Sequence, residues 1–333
     1  MRTLQILSLR TRASALGFAF MLLAPQAGPR AESALNVPVN PAVAADSAAR
    51  NTYVFDRLPS ADGTMIGYRK IGTGPGLILV EGAMSTAQNY DQLARALARD
   101  FTVYIPDRRG RGASPLEFTS AHTVKRDLED LESLLTKTDA HFLFGLSSGA
   151  VIALEATRNF PAVHKVVLYE PPFYLHGMPS DLSARFSKEV QEGHLPSAFV
   201  TAVRIVKVGA PPYVPRPFLE FGIWNQLRKE DKEGAGPYAP LRELIPSMRY
   251  DFKIVSEIGG DVEPFRSVQQ EVLLLGGSKS PEYLISALDA LQKVLPHAER
   301  TEFNGLDHSG TWNADKGGHP GVVAESMRRF FLP

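Results

Sequence analysis

The run Gly145-Leu146-Ser147-Ser148-Gly149 sets a serine midway between two glycines. An apolar run over residues 142–146 precedes it, and a helix-spaced apolar segment over 150–158 follows. On a sharp strand-to-helix turn the middle serine is forced into a strained conformation with its Oγ raised above the sheet, and glycines on either side admit neighbouring backbone. The helix that starts there aims unpaired N–H groups and a positive dipole end at the same spot. That chemistry is nucleophilic attack on a carbonyl, with Ser147 as nucleophile and the Ser148 backbone N–H as a donor to the developing oxyanion. Such a serine requires a base, and the base requires a carboxylate. Glu170 is the candidate carboxylate. It ends the apolar run Val167-Leu168-Tyr169 ahead of Pro171-Pro172, at the sheet edge where α/β proteins do chemistry.

The elements that must hold these groups follow from periodicity. Segments at 53–58, 65–71, 77–80, 101–105, 142–146, 163–169, 272–275 and 300–303 read as strands, several of them as continuous apolar runs. Helical spacing marks 88–99, 124–135, 150–158, 281–294 and 322–331. Strands alternating with helices predict a mostly parallel central sheet with helices on both faces. The alternation stops after Pro172, and helical stretches broken by Pro and Gly occupy 173–265. The expected organisation is an α/β core in two parts, 52–172 and 266–333, interrupted by a helical cap over 173–265. The cap carries many aromatics, among them Trp224 and Tyr250; most are expected in the cap core and some facing the nucleophile as an apolar substrate pocket, and for Tyr250 a structural role is preferred over a phenol near the substrate.

The serine elbow, Glu81-Gly82 after the third strand, Asp107-Arg108-Arg109-Gly110-Arg111-Gly112 after the fourth, and a late histidine together resemble the α/β-hydrolase family. The resemblance covers roughly residues 53–333. It implies the α/β-hydrolase fold, a Ser…acid…His order, an oxyanion hole and a cap after the sixth strand. It also points to His308, in Asn304-Gly305-Leu306-Asp307-His308 after the last strand, as the general base. His319 is the rival. Many relatives carry an Asp after the seventh strand; here Ser280 occupies that position, which moves the acid to Glu170. The adjacent Asp307 is set aside because neighbouring side chains diverge.

In the loop after Val80 the oxyanion donor is expected at Ala83, with Gly82 as its alternative. Glu81 has two readings, a polar contact to substrate or a brace for this loop, and the brace is preferred. Met84 is a further pocket candidate. The acidic residue before Gly82, the Gly-x-Ser-Ser-Gly-Ala elbow and the glutamate after the sixth strand resemble zearalenone-type lactone hydrolases and uncharacterised bacterial hydrolases. That resemblance implies lactones or bulky esters.

Composition narrows the rest. The 333 residues carry 36 Lys+Arg against 36 Asp+Glu, which argues against a nucleic-acid binder relying on a basic field. With no cysteine there is no disulfide, thiolate metal site or cysteine nucleophile. No phosphate loop or dinucleotide fingerprint is present, since the 107–112 loop lacks G-x-G-x-x-G. No cofactor and no metal are expected. Arg2, Arg10 and Arg12 precede an apolar stretch over 15–24 and then small residues. This order reads as a signal peptide over 1–27, with cleavage as late as residue 44, followed by a linker over 28–51. The stretch is too short to span a bilayer, so no stable membrane anchor is expected after processing, and the location is periplasmic or secreted. Residues 1–44 hold four arginines and one glutamate, so the remainder carries a small net negative charge.

The expected function is hydrolysis of carboxylic esters or lactones through an acyl-enzyme by Ser147, His308 and Glu170. The alternatives are carbon–carbon bond hydrolysis or perhydrolysis by the same triad, and a ligand-binding relative with weak turnover.

Overall fold

A computed structural model describes residues 52–209 and 213–333. The signal-peptide and linker expectations, on residues 1–51, lie outside the described residues. Eight strands form one sheet in the order β1-β2-β4-β3-β5-β6-β7-β8. They are β1 (Val54–Pro59), β2 (Met65–Ile71), β3 (Gly76–Val80), β4 (Thr102–Pro106), β5 (Phe142–Leu146), β6 (Lys165–Tyr169), β7 (Glu271–Gly277) and β8 (Ala298–Phe303). β1 and β2 pair antiparallel, as do β2 and β4. Every other pairing is parallel.

The helices of the sheet faces are α1 (Asp91–Leu97), α2 (Val124–Thr138), α3 (Ser148–Asn159), α8 (Glu282–Val294) and α9 (Pro320–Phe331). α1 and α9 cover one face in a core built around Leu93, Phe101, Phe144, Val323 and Phe331. α2, α3 and α8 cover the other, around Leu131, Leu143, Ile152, Leu274 and Leu288. Strands buried on both faces explain the unbroken apolar runs that betrayed them in the sequence.

Between β6 and β7 run α4 (Ser180–Gln191), α5 (Leu195–Val206), α6 (Arg216–Glu233) and α7 (Leu241–Ile258). They share a separate apolar cluster containing Phe186, Ala202, Ile245, Met248 and Phe252. Ala83 and Met84, from the loop after β3, pack against that cluster. The cap is therefore seated on the loop after β3, whose Gly82 lies against Ser147.

The strand order reverses direction at β3 and β5, so loops leaving the carboxyl ends of these neighbours diverge and open a crevice between them. The loop after β3 and the turn after β5 are the two walls of that crevice.

Candidate active site

Ser147 stands between β5 and α3 with φ 54° and ψ −125°. A β-carbon strains at positive φ, and only tight surroundings maintain it. Those surroundings are set by glycine. A Cβ on Gly145 would lie 2.4 Å from the Gly149 carbonyl oxygen, and one on Gly149 would lie 2.4 Å from the Glu81 oxygen. Neither position admits a side chain, so β3, β5 and α3 close in around the turn. Ser147 occupies the N-cap position, yet its hydroxyl makes no capping bond to α3.

Five non-glycine residues among those described have positive φ. Asp139 and Lys207 end α2 and α5, an ordinary place for such a conformation. The other three are Met84, Ser147 and Glu170, one in the loop after β3, one after β5 and one after β6. The strain outside helix ends is thus gathered at the crevice.

Tyr169, the last residue of β6, joins the parts. Its carbonyl accepts the Ser147 backbone N–H at 2.9 Å. Its phenol donates to the Asp307 carbonyl at 2.8 Å and so fixes the loop that carries His308. Burial raises the affinity of this phenol for its proton, which keeps it a donor. The next residue, Glu170, has no exposed surface. Its Oε2 lies 2.7 Å from His308 Nδ1. Its Oε1 accepts the Gly277 N–H at 2.6 Å and the Ser280 hydroxyl at 2.5 Å.

Ser280, where many relatives carry an aspartate, thus donates to the candidate acid. It orients Glu170, and Glu170 orients the imidazole. With Nδ1 held by a carboxylate, the other ring nitrogen of His308 is the one available for proton transfer. Asp307 turns back on its own loop and accepts the Ser309 N–H and hydroxyl. His319 caps α9, with its N–H on the Gly310 carbonyl.

The loop after β3 divides the two oxyanion candidates. The Gly82 N–H donates to the Tyr90 phenol oxygen at 3.2 Å, so it is engaged inside the fold. This removes Gly82 as the alternative donor and leaves Ala83, whose residue is partly exposed. Ser148 is buried at the first turn of α3, where backbone N–H groups have no intrahelical partner.

Glu81 is a brace. Fully buried, it accepts the Arg108 N–H at 2.9 Å and has Arg111 Nε at 3.6 Å, while its Oε2 has no partner. Burial pushes its carboxyl well above the usual range, against the pull of Arg111.

Two of the pocket candidates take packing and surface positions, Tyr250 in its preferred structural role. Tyr250 is buried against Phe118 and His122, and its hydroxyl donates to the Leu116 carbonyl. It fills space over Gly110, where a Cβ would meet the ring at 2.2 Å, and is a packing residue of α7. Trp224 is 43% exposed on α6, stacked on Phe221 and covered by Arg228. It is a surface residue. Met84 keeps its place near the site, in the loop that faces the cap.

Sequence reasoning missed three side chains that surround the elbow. Arg108 donates to Asp127, to Asp251 and to the Ser148 hydroxyl. Arg111 donates to the Gly82 carbonyl at 2.9 Å and to Asp251 at 2.8 Å. Asp251, on α7, accepts both arginines and the Ser148 hydroxyl. One signal was available. Leu244, Met248, Asp251 and Val255 share one helical stripe, and a lone aspartate in an apolar stripe requires buried partners.

Among the described residues no helix is long and apolar enough to cross a membrane. Comparison with known proteins places these features. Residues 77–330 match the Alpha/beta hydrolase family. The chain is 33% identical to an uncharacterised hydrolase of Bacillus subtilis, YraK, over 40% of this chain and 51% of that protein. It is 31% identical to an N-formylmaleamate deformylase of Pseudomonas putida over 37% of this chain and 47% of that protein. The matches thus span about half the length of these curated relatives. Among solved structures, an alpha/beta hydrolase from Sphaerobacter thermophilus superposes with TM-score 0.66 at 26% identity, over 83% of this chain and all of that one. With the match running from β3 into α9, across the elbow, the cap and the histidine loop, the chain belongs to the alpha/beta hydrolase family.

Proposed function

We propose that this protein is a serine hydrolase of uncharged carboxylic esters or lactones. The observation that carries the reading is the 2.7 Å pairing of buried Glu170 with His308 Nδ1, in a fold that also holds Ser147 on a strained elbow. In this reading Ser147 Oγ attacks the carbonyl carbon while His308 Nε2 takes its proton. The carbonyl oxygen becomes an oxyanion facing the N–H groups of Ala83 and Ser148. The tetrahedral intermediate then collapses, the bond to the alcohol oxygen breaks, and His308 returns the proton to that oxygen. A water molecule repeats the sequence on the acyl-enzyme and frees the acid. Glu170 keeps the imidazolium oriented throughout.

Charge supports an uncharged substrate. The guanidinium groups closest to the elbow, Arg108 and Arg111, are both occupied by Asp127, Asp251 and backbone carbonyls. The resemblance of the site motifs to zearalenone-type lactone hydrolases favours cyclic esters among the candidates. A second reading, acyl C–N cleavage, comes from the deformylase relative and from fold likeness to an E-2-(acetamidomethylene)succinate hydrolase (TM-score 0.57, 18% identity, over 85% of this chain and all of that one). Both of those names denote carboxylate substrates, whereas the two guanidinium groups at the elbow, Arg108 and Arg111, are already engaged by carboxylates of the protein itself. Export of the mature protein, expected from residues 1–27, is part of the proposal and is checked by the N-terminal sequence of secreted material.

The test is labelling of purified protein with a fluorophosphonate, beside turnover of a panel of esters, lactones and formamides. Labelling on Ser147, lost in Ser147→Ala, with ester or lactone turnover preferred, is the expected result. Turnover restricted to formamides or amides sinks the ester reading, and absence of both labelling and turnover sinks the hydrolase reading.

A further inference from the structure

The cap is joined to the catalytic crevice by one buried carboxylate. Asp251 lies in the middle of α7 and is 2% exposed. Its Oδ1 accepts Arg108 Nη1 at 2.7 Å and the Ser148 hydroxyl at 2.6 Å. Its Oδ2 accepts Arg111 Nη2 at 2.8 Å. Burial alone would raise this carboxyl, but Arg111, Arg108 and the Ser148 hydroxyl hold it below the usual range.

The partners of Asp251 reach both sides of the crevice. Arg111 Nη1 donates to the Gly82 carbonyl at 2.9 Å. That carbonyl and the Ala83 N–H belong to one planar, trans peptide unit, so they point in opposite directions. Holding the oxygen toward Arg111 turns the Ala83 N–H away from it. Arg108 Nη1 also holds the Glu81 carbonyl, at 3.3 Å, and that peptide's N–H is the Gly82 donor already engaged by Tyr90. On the opposite wall, Asp251 grips the side chain of Ser148, whose backbone N–H is the second donor.

We infer that Asp251 is a positioning residue of the oxyanion hole: docking of the cap places its carboxylate where it fixes Ala83 through Arg111 and Ser148 directly. The inference rests on the acyl-transfer reading above. Its consequence is that a cap displaced at α7 loosens both donors together, so substrate-side changes in the cap are felt as changes in the chemical step. A second tie of the same helix, from Glu257 to the Val124 N–H at 3.1 Å, touches neither donor and provides the comparison.

The experiment measures kcat and KM for a p-nitrophenyl ester, and Ki for a trifluoromethyl ketone of matched chain length, whose hemiketal oxyanion occupies the hole. Asp251→Asn places an NH₂ against a guanidinium and releases Arg111. Expected is a fall in kcat of about 10- to 100-fold, below the full loss of a donor, with KM within about threefold and Ki rising in step with the loss of kcat. Glu257→Gln is expected to change none of the three. A folded Asp251→Asn protein with kcat within about twofold of wild type, or one in which KM alone rises, overturns the inference. If Asp251→Asn does not fold, Ser148→Ala decides the question. It deletes one hydroxyl, leaves the backbone donor, and is expected to lower kcat about fivefold with a matching rise in Ki; unchanged values overturn the inference. Wild-type protein that neither turns over the ester nor reacts with a fluorophosphonate instead defeats the underlying hydrolase reading.

Discussion

Two glutamates in this protein share one kind of address and have opposite fates. Glu81 follows β3 and Glu170 follows β6, and neither has any exposed surface. Glu170 is surrounded by donors: the Gly277 N–H and the Ser280 hydroxyl on one oxygen, and His308 on the other. Glu81 has the Arg108 N–H on one oxygen and nothing on the other, and burial holds its carboxyl well above the usual range. Depth does not distinguish them. The number and aim of the donors does, because a buried carboxylate is tolerated only where hydrogen bonds replace its water. The first is built to hold an imidazole, and the second to join two loops.

Substituting the amide for each acid separates the two most widely. Glu170→Gln presents an NH₂ to at least one of three donors and cannot balance the imidazolium. We expect kcat to fall by about 10³- to 10⁴-fold, as for loss of the buried carboxylate in a serine–histidine–aspartate triad, with the protein still folded. Steady-state kinetics beside circular dichroism checks this. A loss below about tenfold would move the acid to another residue.

The next effect tests the donors of Glu170 one at a time. Ser280→Ala removes the hydroxyl bond to Oε1 and leaves the Gly277 N–H in place. A hydrogen bond to a charged group contributes about 1.5–3 kcal/mol. We expect a stability loss near the lower end of that range and a fall in kcat of about tenfold, read by urea unfolding and turnover. Unchanged kcat would mean that Gly277 alone suffices to orient the acid.

The contrast between these glutamates also marks what the sequence could disclose. The central strands, the order of helices and the serine elbow were legible, because strands buried on both faces write themselves as unbroken apolar runs and a strained turn demands glycine at Gly145 and Gly149, whereas the exposed edge strands β1 and β8 carry no such run. The pairing of Glu170 with His308 was legible through chain order and through the missing aspartate at Ser280. The support around them was not. That Ser280 would bond the acid depends on the β6–β7 register, which brings residues 170 and 280 together across a long insertion. The Arg108–Asp251 and Arg111–Asp251 contacts likewise join a loop after β4 to the middle of a cap helix. Pocket residues were the least legible. Tyr250 and Trp224 are aromatic in the same segment, yet one is buried beside Gly110 and the other faces solvent, a difference made by helix rotation and not by residue type.

The smallest effect on catalysis is expected at Glu81, which should impose a pH dependence on stability instead. Its carboxyl ionises near 4.5 in the unfolded chain and well above that in the fold. Between those values the native state binds the proton and the unfolded state has lost it. Stability therefore declines as pH rises through this window, by at most about 1.4 kcal/mol per pH unit. Below the window both states are protonated and the contribution is flat. Glu81→Gln keeps an acceptor for the Arg108 N–H and removes the titration. Relative to wild type, the variant should gain stability progressively from about pH 5 to pH 8, while kcat at pH 8 stays within about threefold. Urea unfolding of both proteins at the two pH values measures this directly. A stability difference that does not change with pH would mean that Glu81 titrates alike in both states, so that the unpartnered oxygen finds a donor. In that case what distinguishes Glu81 from Glu170 would be the geometry of its donors alone.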